Sequence, residues 1–172
     1  MKNLLIFLFI FLISLFIAIF MPIIFGAPFQ PTSKYKIKKI IELANIKGNE
    51  RVVDLGSGDG RIVIAFAKKG LESHGYEINP FLVWMSRRKI KKEKLTGKAF
   101  IHWKNFWKEN LSKYGIIILF QVGYIMDKLG KKIKKEAKDN AKIISHDWKF
   151  PNLKISKKIS KIYLYKIKEN SR

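Results

Sequence analysis

The chain has 172 residues, no cysteine and a formal net charge of +22, because 35 lysines and arginines outnumber 13 acidic residues. This length predicts a single domain with its own core, and the lack of cysteine excludes disulfides, thiolate nucleophiles and zinc–thiolate sites. Only five of the basic residues are arginine, so the charge indicates a general lysine bias, with attraction to acidic lipid headgroups, more than a nucleic-acid site.

The first element is an uncharged, apolar run from Leu4 to Phe25. As a helix it would span about 33 Å, which matches a hydrocarbon core of about 30 Å. A cleaved signal peptide is the alternative, but its apolar centre would hold only about 7 to 15 residues. The run therefore predicts an uncleaved transmembrane anchor at residues 1–25. Lys2 alone precedes it and "SKYKIKK" follows it, so the positive-inside rule predicts a single-pass membrane protein with its C-terminal domain in the cytoplasm.

Residues 26–33, "GAPFQPTS", lack periodicity and predict a linker, and residues 34–172 form the predicted main domain. A helix is expected in "KYKIKKIIELANI", with Thr32 or Ser33 as its cap and Lys47-Gly48-Asn49 at its end. Strand-like and helical runs then alternate, and two strand-like runs, "LKIS" and "KIYLYKI", close the chain. This order predicts an α/β fold with a mostly parallel sheet and an antiparallel hairpin at one edge.

The stretch "VVDLGSGDGR" places Gly56, Gly58 and Gly60 directly after the first predicted strand. A glycine-rich turn at this position of an α/β sheet binds a cofactor, because the backbone approaches the ligand without a Cβ. A dinucleotide fingerprint would need glycine where Arg61 stands. The spacing therefore argues against NAD.

The pattern D-x-G-x-G-x-G in "VVDLGSGDGR" resembles motif I of class I S-adenosylmethionine-dependent methyltransferases, and "GYEINP" resembles their second motif. The resemblance implies a Rossmann-like fold and S-adenosyl-L-methionine as cofactor. It implies that the glycines receive the methionine and ribose portion, that Glu77 holds the ribose hydroxyls and that Asp54 meets the ammonium group. Asn105 stands where the family often has an acid that contacts adenine. The full implied set is Asp54, Gly56, Ser57, Gly58, Gly60, Glu77 and Asn105.

The apolar segment, the linker "PFQPTS" and "GYEINPFLV" together resemble membrane-anchored protein-lysine methyltransferases of the adenine nucleotide translocase and ATP synthase c-subunit type. This resemblance implies methylation of a lysine in a membrane protein. Two alternatives stay open: a methyltransferase of a small molecule or lipid headgroup, and a catalytically degenerate, membrane-tethered binding module. A nucleic-acid substrate is disfavoured by the predicted anchor and the scarcity of arginine.

Catalytic residues on the acceptor side are not identified by any motif. "LFQVGY" lacks the family's acid- or amide-proline signature, which leaves Gln121, Tyr124 and Trp107 as candidates. Aromatic walls would lower the pKa of a lysine acceptor by excluding water, and Phe29, Phe106, Trp107, Tyr124 and Trp148 are available for them. The three histidines show no metal-ligand spacing, so no metal is expected; His146-Asp147 is the one pair near a strand end, and packing is its expected role.

Overall fold

The computed structural model describes residues 2–25 and 29–167, and side chains are described outside residues 18–25. The apolar run forms α1, Lys2–Phe25, whose side chains are exposed as far as residue 17. Within the part of the chain whose side chains are described, no helix is long and apolar enough to cross a membrane. The described residues therefore do not support the predicted transmembrane helix. Residue 1, residues 26–28 of the predicted linker and residues 168–172 lie outside the described residues.

A seven-stranded sheet in the order β3-β2-β1-β4-β5-β7-β6 forms the centre of the domain. Strands β1 to β5 are parallel, and β7 runs antiparallel to both β5 and β6. The strands are β1 (Val52–Leu55), β2 (Ser73–Glu77), β3 (Ala99–Trp103), β4 (Ile116–Leu119), β5 (Lys142–His146), β6 (Ile155–Ile159) and β7 (Ile162–Lys166). The predicted mostly parallel sheet with a terminal antiparallel hairpin is confirmed.

Four further helices cover the two faces of this sheet. They are α2 (Lys34–Ala44), α3 (Arg61–Ala67), α4 (Pro80–Lys92) and α5 (Met126–Glu136). Alternate residues of the central strands face opposite layers: Val53 and Leu55 pack in one cluster with the apolar side of α5, whereas Val52 packs in a second cluster with α2 and α3. The central strands are buried on both sides, as parallel strands between helical layers are.

Local sequence explains where the helices begin. The Ser33 side chain caps α2 by accepting a hydrogen bond from the Lys36 backbone N–H at 3.3 Å. Asn79 caps α4 by accepting from the backbone N–H groups of Phe81 and Leu82 at 3.0 and 3.3 Å. Pro80 then occupies the first helical position, where it gives up no helical hydrogen bond.

The sequence placed the end of α2 too late. The helix ends at Ala44, and Asn45 adopts a left-handed conformation with φ of 41°. Asparagine tolerates this conformation better than most residues and so competes with glycine as a helix terminator. The expectation that Lys47-Gly48-Asn49 ends the helix was therefore wrong by about one turn.

Candidate functional site

The glycine loop follows β1 and turns sharply at the carboxyl edge of the sheet. Gly56, Gly58 and Gly60 have φ of +83°, +54° and +77°, a region that residues with a Cβ rarely adopt. The backbone N–H groups of Gly56 and Ser57 both donate to the carbonyl oxygen of Tyr76, at 2.9 and 3.0 Å. The loop is therefore fixed against the end of β2.

Glu77, the last residue of β2, faces the glycine loop. Its Oε2 accepts a hydrogen bond from the Gly58 backbone N–H at 2.9 Å. Its Oε1 accepts from the backbone N–H groups of Ile78 and Asn79, both at 2.8 Å. These three donors use three of the roughly four acceptor positions of a carboxylate. The structure thus brings together the two motifs of the predicted cofactor site, and it couples the acid to the loop directly.

Asp54 lies inside β1 and is almost completely buried. Burial raises the pKa of its carboxyl group well above the usual value, and the nearby carboxylates of Glu77 and Asp59 raise it further. Asp59 is already paired with Arg61 and Lys89, whereas Asp54 and Glu77 form no ion pair among the described residues, so a cation is favoured beside these two acids. The ammonium group of an amino-acid ligand would supply that charge.

Two polar atoms beside the glycine loop are buried and have no hydrogen-bond partner among the described residues: Ser57 Oγ and Gln121 Oε1. Gln121 follows β4, and its Nε2 donates to the Leu55 carbonyl oxygen at 2.7 Å. A Cβ built on Gly56 would lie 2.5 Å from that nitrogen, so the first glycine is needed for this contact. Buried polar atoms without partners are uncommon, and a polar ligand at the loop would satisfy them. The residues present therefore fit the expected adenosyl cofactor.

The predicted linker is attached to the same loop, a feature that the sequence did not reveal. A Cβ on Gly58 would lie 2.7 Å from the ring of Phe29, so this ring covers the loop closely. Arg61 Nη1 donates to the carbonyl oxygen of buried Thr32 at 2.8 Å. The segment from Phe29 to Thr32 is therefore part of the site. The motif "PFQPTS" does not by itself indicate this attachment, because the attachment depends on the contact of Thr32 with Arg61.

Asp59 and Arg61 hold that attachment in place. The Arg61 guanidinium donates to both carboxylate oxygens of Asp59, each at 2.8 Å, and Lys89 also pairs with this carboxylate. Burial favours the neutral acid, but the hydrogen bonds from Arg61 and Lys89 outweigh it and lower the pKa of Asp59 to about 2. From sequence, both residues could simply have begun α3.

The remaining predicted site residues lie along the ends of β3 and β4. The Asn105 side-chain oxygen accepts from the Trp107 backbone N–H at 3.0 Å and caps a short 3-10 helix, Phe106–Lys108. Trp107 is half-buried against the core, and Lys128 Nζ lies 5.0 Å from its ring centroid. The adenine contact proposed for Asn105 stays a prediction.

The aromatic candidates divide by burial. Phe106 is part of the core, whereas Phe29, Tyr124 and Trp148 are exposed. Trp148 lies against the loop after β4, since a Cβ on Gly123 would be 2.6 Å from its ring. The exposed rings of Tyr124 and Trp148 therefore lie at the segment that follows Gln121, and the assignment of Gln121, Tyr124 and Trp107 to catalysis stays a prediction.

His146 ends β5 and is more unusual than its sequence suggested. It is almost fully buried, and neither ring nitrogen has a hydrogen-bond partner among the described residues. Its Nε2 lies 3.5 Å from Asp147 Oδ2, and its ring centroid is 4.1 Å from that of Phe120. Burial lowers the pKa of His146 to about 4, although Asp147 acts in the opposite direction. This histidine is neutral near pH 7.

The other two histidines form a separate network. His74 contacts His102 through ring nitrogens 3.0 Å apart, and its other nitrogen lies 2.9 Å from Glu72 Oε1. Across residues 2–25 and 29–167, no group of three or more histidine, aspartate or glutamate side chains is arranged to hold a metal ion.

Comparison with known proteins identifies related sequences. Residues 54–157 match a family model described as the ANTKMT methyltransferase domain. The ATP synthase c-subunit lysine N-methyltransferase of Homo sapiens is 39% identical over 125 residues, which are 73% of this chain and 53% of the human protein. A protein-lysine N-methyltransferase of Saccharolobus islandicus (strain REY15A) is 31% identical over 123 residues, or 70% of this chain and 76% of that protein. The chain spans about half the length of the human relative.

A solved structure supports the fold assignment. The crystal structure of an RNA methyltransferase from Salinibacter ruber, in complex with S-adenosyl-L-homocysteine, matches with a TM-score of 0.78 and 26% sequence identity. The match covers 81% of this chain and 95% of the other. The seven-stranded sheet is therefore the Rossmann-like sheet of a methyltransferase.

Proposed function

Because this chain belongs to the ANTKMT methyltransferase family, we propose that it transfers a methyl group from S-adenosylmethionine to a lysine side chain of a membrane protein. The hydrogen bond from the Gly58 backbone N–H to Glu77 carries the cofactor part of this proposal, because it joins the glycine loop and the acid in one cleft. The lysine part is supported by the names of the human and Saccharolobus relatives.

The cofactor supplies a methyl group activated on a sulfonium. Glu77 would accept a hydrogen bond from a ribose hydroxyl at the acceptor position that its three backbone donors leave open, and Asp54 would stabilise the ammonium group of the methionine portion. Ser57 Oγ and Gln121 Oε1 are the buried polar atoms that such a ligand would satisfy. A hydrogen bond to a charged group such as Glu77 or Asp54 is worth about 1.5–3 kcal/mol, and one to a neutral group such as Ser57 about 0.5–1.5 kcal/mol.

The chain must also prepare the lysine acceptor. A lysine with a pKa near 10.4 must lose a proton before it attacks, which costs about 4.6 kcal/mol at pH 7. The exposed rings of Phe29, Tyr124 and Trp148 would exclude water from the amine and lower that cost. Correct placement of the amine beside the cofactor supplies the remaining rate enhancement.

A membrane location is part of the proposal. It is supported by the uncharged run from Leu4 to Phe25 and by the exposed side chains of α1 as far as residue 17. Lys34, Lys36, Lys38 and Lys39 follow the run closely, so the domain would lie in the cytoplasm. The human relative is named for a component of ATP synthase, and a membrane-embedded substrate fits an enzyme that is itself anchored.

RNA is the second candidate substrate, because the Salinibacter ruber neighbour is an RNA methyltransferase and the chain carries a net charge of +22. We favour lysine because the named lysine methyltransferases are more similar in sequence than this neighbour, at 39% and 31% against 26% identity.

The test is a methyl-transfer assay on membranes that contain the full chain. Labelled S-adenosylmethionine is added, and protein, lipid and RNA fractions are separated and counted, with methylated lysine identified by mass spectrometry. Label in protein lysine supports the proposal, and label only in lipid or RNA overturns the substrate. Gly56→Val is the inactive control, because its side chain would displace Gln121. Absence of transfer together with intact cofactor binding would indicate a degenerate binding module.

A further inference from the structure

Three large aromatic side chains are exposed together at the start of α4 and the end of β3. Phe81, Trp84 and Trp103 expose 62%, 52% and 63% of their surface. They are held in place: Trp103 Nε1 donates to the Ile78 carbonyl oxygen at 2.9 Å, and the ring centroids of Phe81 and Trp84 are 5.8 Å apart. An exposed apolar patch of ordered side chains marks an interaction surface.

Cations surround these rings. The Arg88 guanidinium lies 4.9 Å from the Trp84 ring centroid. Two grooves of about 400 and 720 Å³ share Trp84, Arg88 and Lys91 as lining residues. Among the described residues, neither groove is lined by an acidic side chain, and no ion pair neutralises Arg88 or Lys91. We call the surface formed by Phe81, Trp84, Arg88, Lys91 and Trp103 the aromatic-basic face.

The aromatic-basic face lies at the same edge of the sheet as the glycine loop. Trp103 is paired in register with Glu77 across β3 and β2, and α4 begins three residues after Glu77. Phe29, which covers Gly58, is four residues beyond the end of α1. A planar surface that contacts this edge would therefore contact the rim of the cofactor site.

We propose that the aromatic-basic face docks on an anionic phospholipid surface and thereby orients the cofactor site toward the bilayer. Tryptophan side chains favour the headgroup region, and each lysine or arginine near an acidic lipid surface adds attraction. RNA also stacks on aromatic rings and binds cations. The lipid surface is favoured because the apolar run ends only four residues before Phe29. This inference rests on the proposed membrane location.

The lack of cysteine in the sequence allows a test on the full chain. Met85→Cys places one label in the groove beside Trp84, and Lys135→Cys places a control label on α5, which covers the opposite face of the sheet. Each protein is reconstituted into phosphatidylcholine vesicles with or without phosphatidylglycerol. Accessibility of the label to a water-soluble quencher is then measured.

The label at position 85 is expected to be protected when phosphatidylglycerol is present, and the label at position 135 to be unaffected. Arg88→Gln and Lys91→Gln, added to the Met85→Cys protein, should each reduce the docking equilibrium by about fivefold. Equal protection in both lipids, or equal protection at both positions, would overturn the proposal. Stronger protection by added homopolymeric RNA than by phosphatidylglycerol would also overturn it and assign the face to nucleic acid.

Methyl transfer to lysine is measured on the membranes of the transfer assay described above, because pure phospholipid vesicles contain no substrate protein; the two proposals then fail separately. Transfer to lysine without protection at position 85 refutes docking alone. Protection without any methyl transfer refutes the enzyme and leaves the docking surface in place.

Discussion

At the scale of single residues, Glu77 has two roles that depend on each other. Its carboxylate accepts three backbone hydrogen bonds that hold the glycine loop and the start of α4, and the same oxygens are the expected partners of the ribose. A mutation here changes both the loop and the affinity for cofactor. The two effects are separable only if stability and binding are measured on the same variant.

Glu77→Gln should weaken binding of S-adenosyl-L-homocysteine by about 10- to 100-fold, since a charge-assisted hydrogen bond is lost and the amide nitrogen faces N–H donors. Calorimetric titration gives the dissociation constant. Glu93→Gln is the control, because Glu93 forms an exposed ion pair with Lys68 at the surface. An unchanged dissociation constant for Glu77→Gln would show that this acid does not touch the cofactor.

Asp54 should make cofactor binding pH-dependent. Because its pKa is raised by burial, the carboxyl group without ligand stays protonated above its usual range, and a bound ammonium would restore the ionised form. Binding should then release a proton, and affinity should rise with pH by up to about tenfold per unit until the raised pKa is passed. Calorimetry in buffers of different ionisation enthalpy measures the number of protons released on binding. Asp54→Asn should abolish this release. Proton uptake would contradict the assignment.

His146 should make the fold sensitive to mild acid. Its pKa is about 4 in the folded chain and about 6.5 when unfolded, so the unfolded state binds the proton first. Stability should therefore fall as pH drops from about 6.5 toward 4, by up to about 3 kcal/mol from this group. Urea unfolding across that range measures the loss. Over this pH range the free energy of unfolding of His146→Gln should fall by less than that of the wild type. An identical pH dependence in the two proteins would refute the contribution of His146.

At the scale of elements, the attachment of the segment from Phe29 to Thr32 is the main feature that the sequence could not supply. Alternating strands and helices and the glycine turn depend on local patterns, so they were predictable. The contact of Phe29 with Gly58 and that of Gln121 with Leu55 join distant parts of the chain. Sequence periodicity does not predict such long-range contacts. They can be identified only when the order of the strands in the sheet is known.

Arg61→Ala should release this segment and destabilise the domain by about 2 kcal/mol, because Asp59 loses its bidentate partner in a buried setting. The pKa of Asp59 is lowered to about 2, so the stabilisation is present above about pH 4 and disappears as pH falls toward 2. Urea unfolding at neutral pH measures the change.

Arg51→Ala is the matched control for that experiment. It removes an exposed pair with Glu72, and such pairs contribute less than about 1 kcal/mol. Equal losses in the two variants would show that the attachment through Arg61 contributes nothing beyond a surface ion pair.

At the scale of the whole molecule, the charge of +22 opposes compaction. Sodium chloride should screen this repulsion and raise the melting temperature of the detergent-solubilised chain by about 3 °C between low and moderate ionic strength. Differential scanning calorimetry measures it. A decrease on adding salt would mean that attractive ion pairs, not net repulsion, dominate the electrostatic energy.

The sequence predicted a mostly parallel sheet with a terminal hairpin because these features follow from the alternation of strands and helices. It predicted the glycine loop because residues with a Cβ rarely adopt the dihedral angles of that loop. It predicted a packing role for His146, which is almost fully buried, but it did not predict that both ring nitrogens lack partners among the described residues, since this depends on the tertiary packing around Phe120. It named Gln121, Tyr124 and Trp107 as acceptor-side candidates but could not decide among them, because the positions of the exposed rings of Tyr124 and Trp148 depend on tertiary packing.

The contact between Phe29 and Gly58 also sets a limit on reach. Four peptide links separate Phe29 from Phe25 at the end of α1, and a fully extended chain covers at most about 14 Å over that distance. If α1 lies in a bilayer, this short connection keeps Phe29 within about 14 Å of the end of α1 and confines methylation to amines close to the lipid surface. The enzyme would then select its target by the distance of the lysine from the membrane surface. A lysine on a large extramembrane domain, far from the bilayer, would not reach the site.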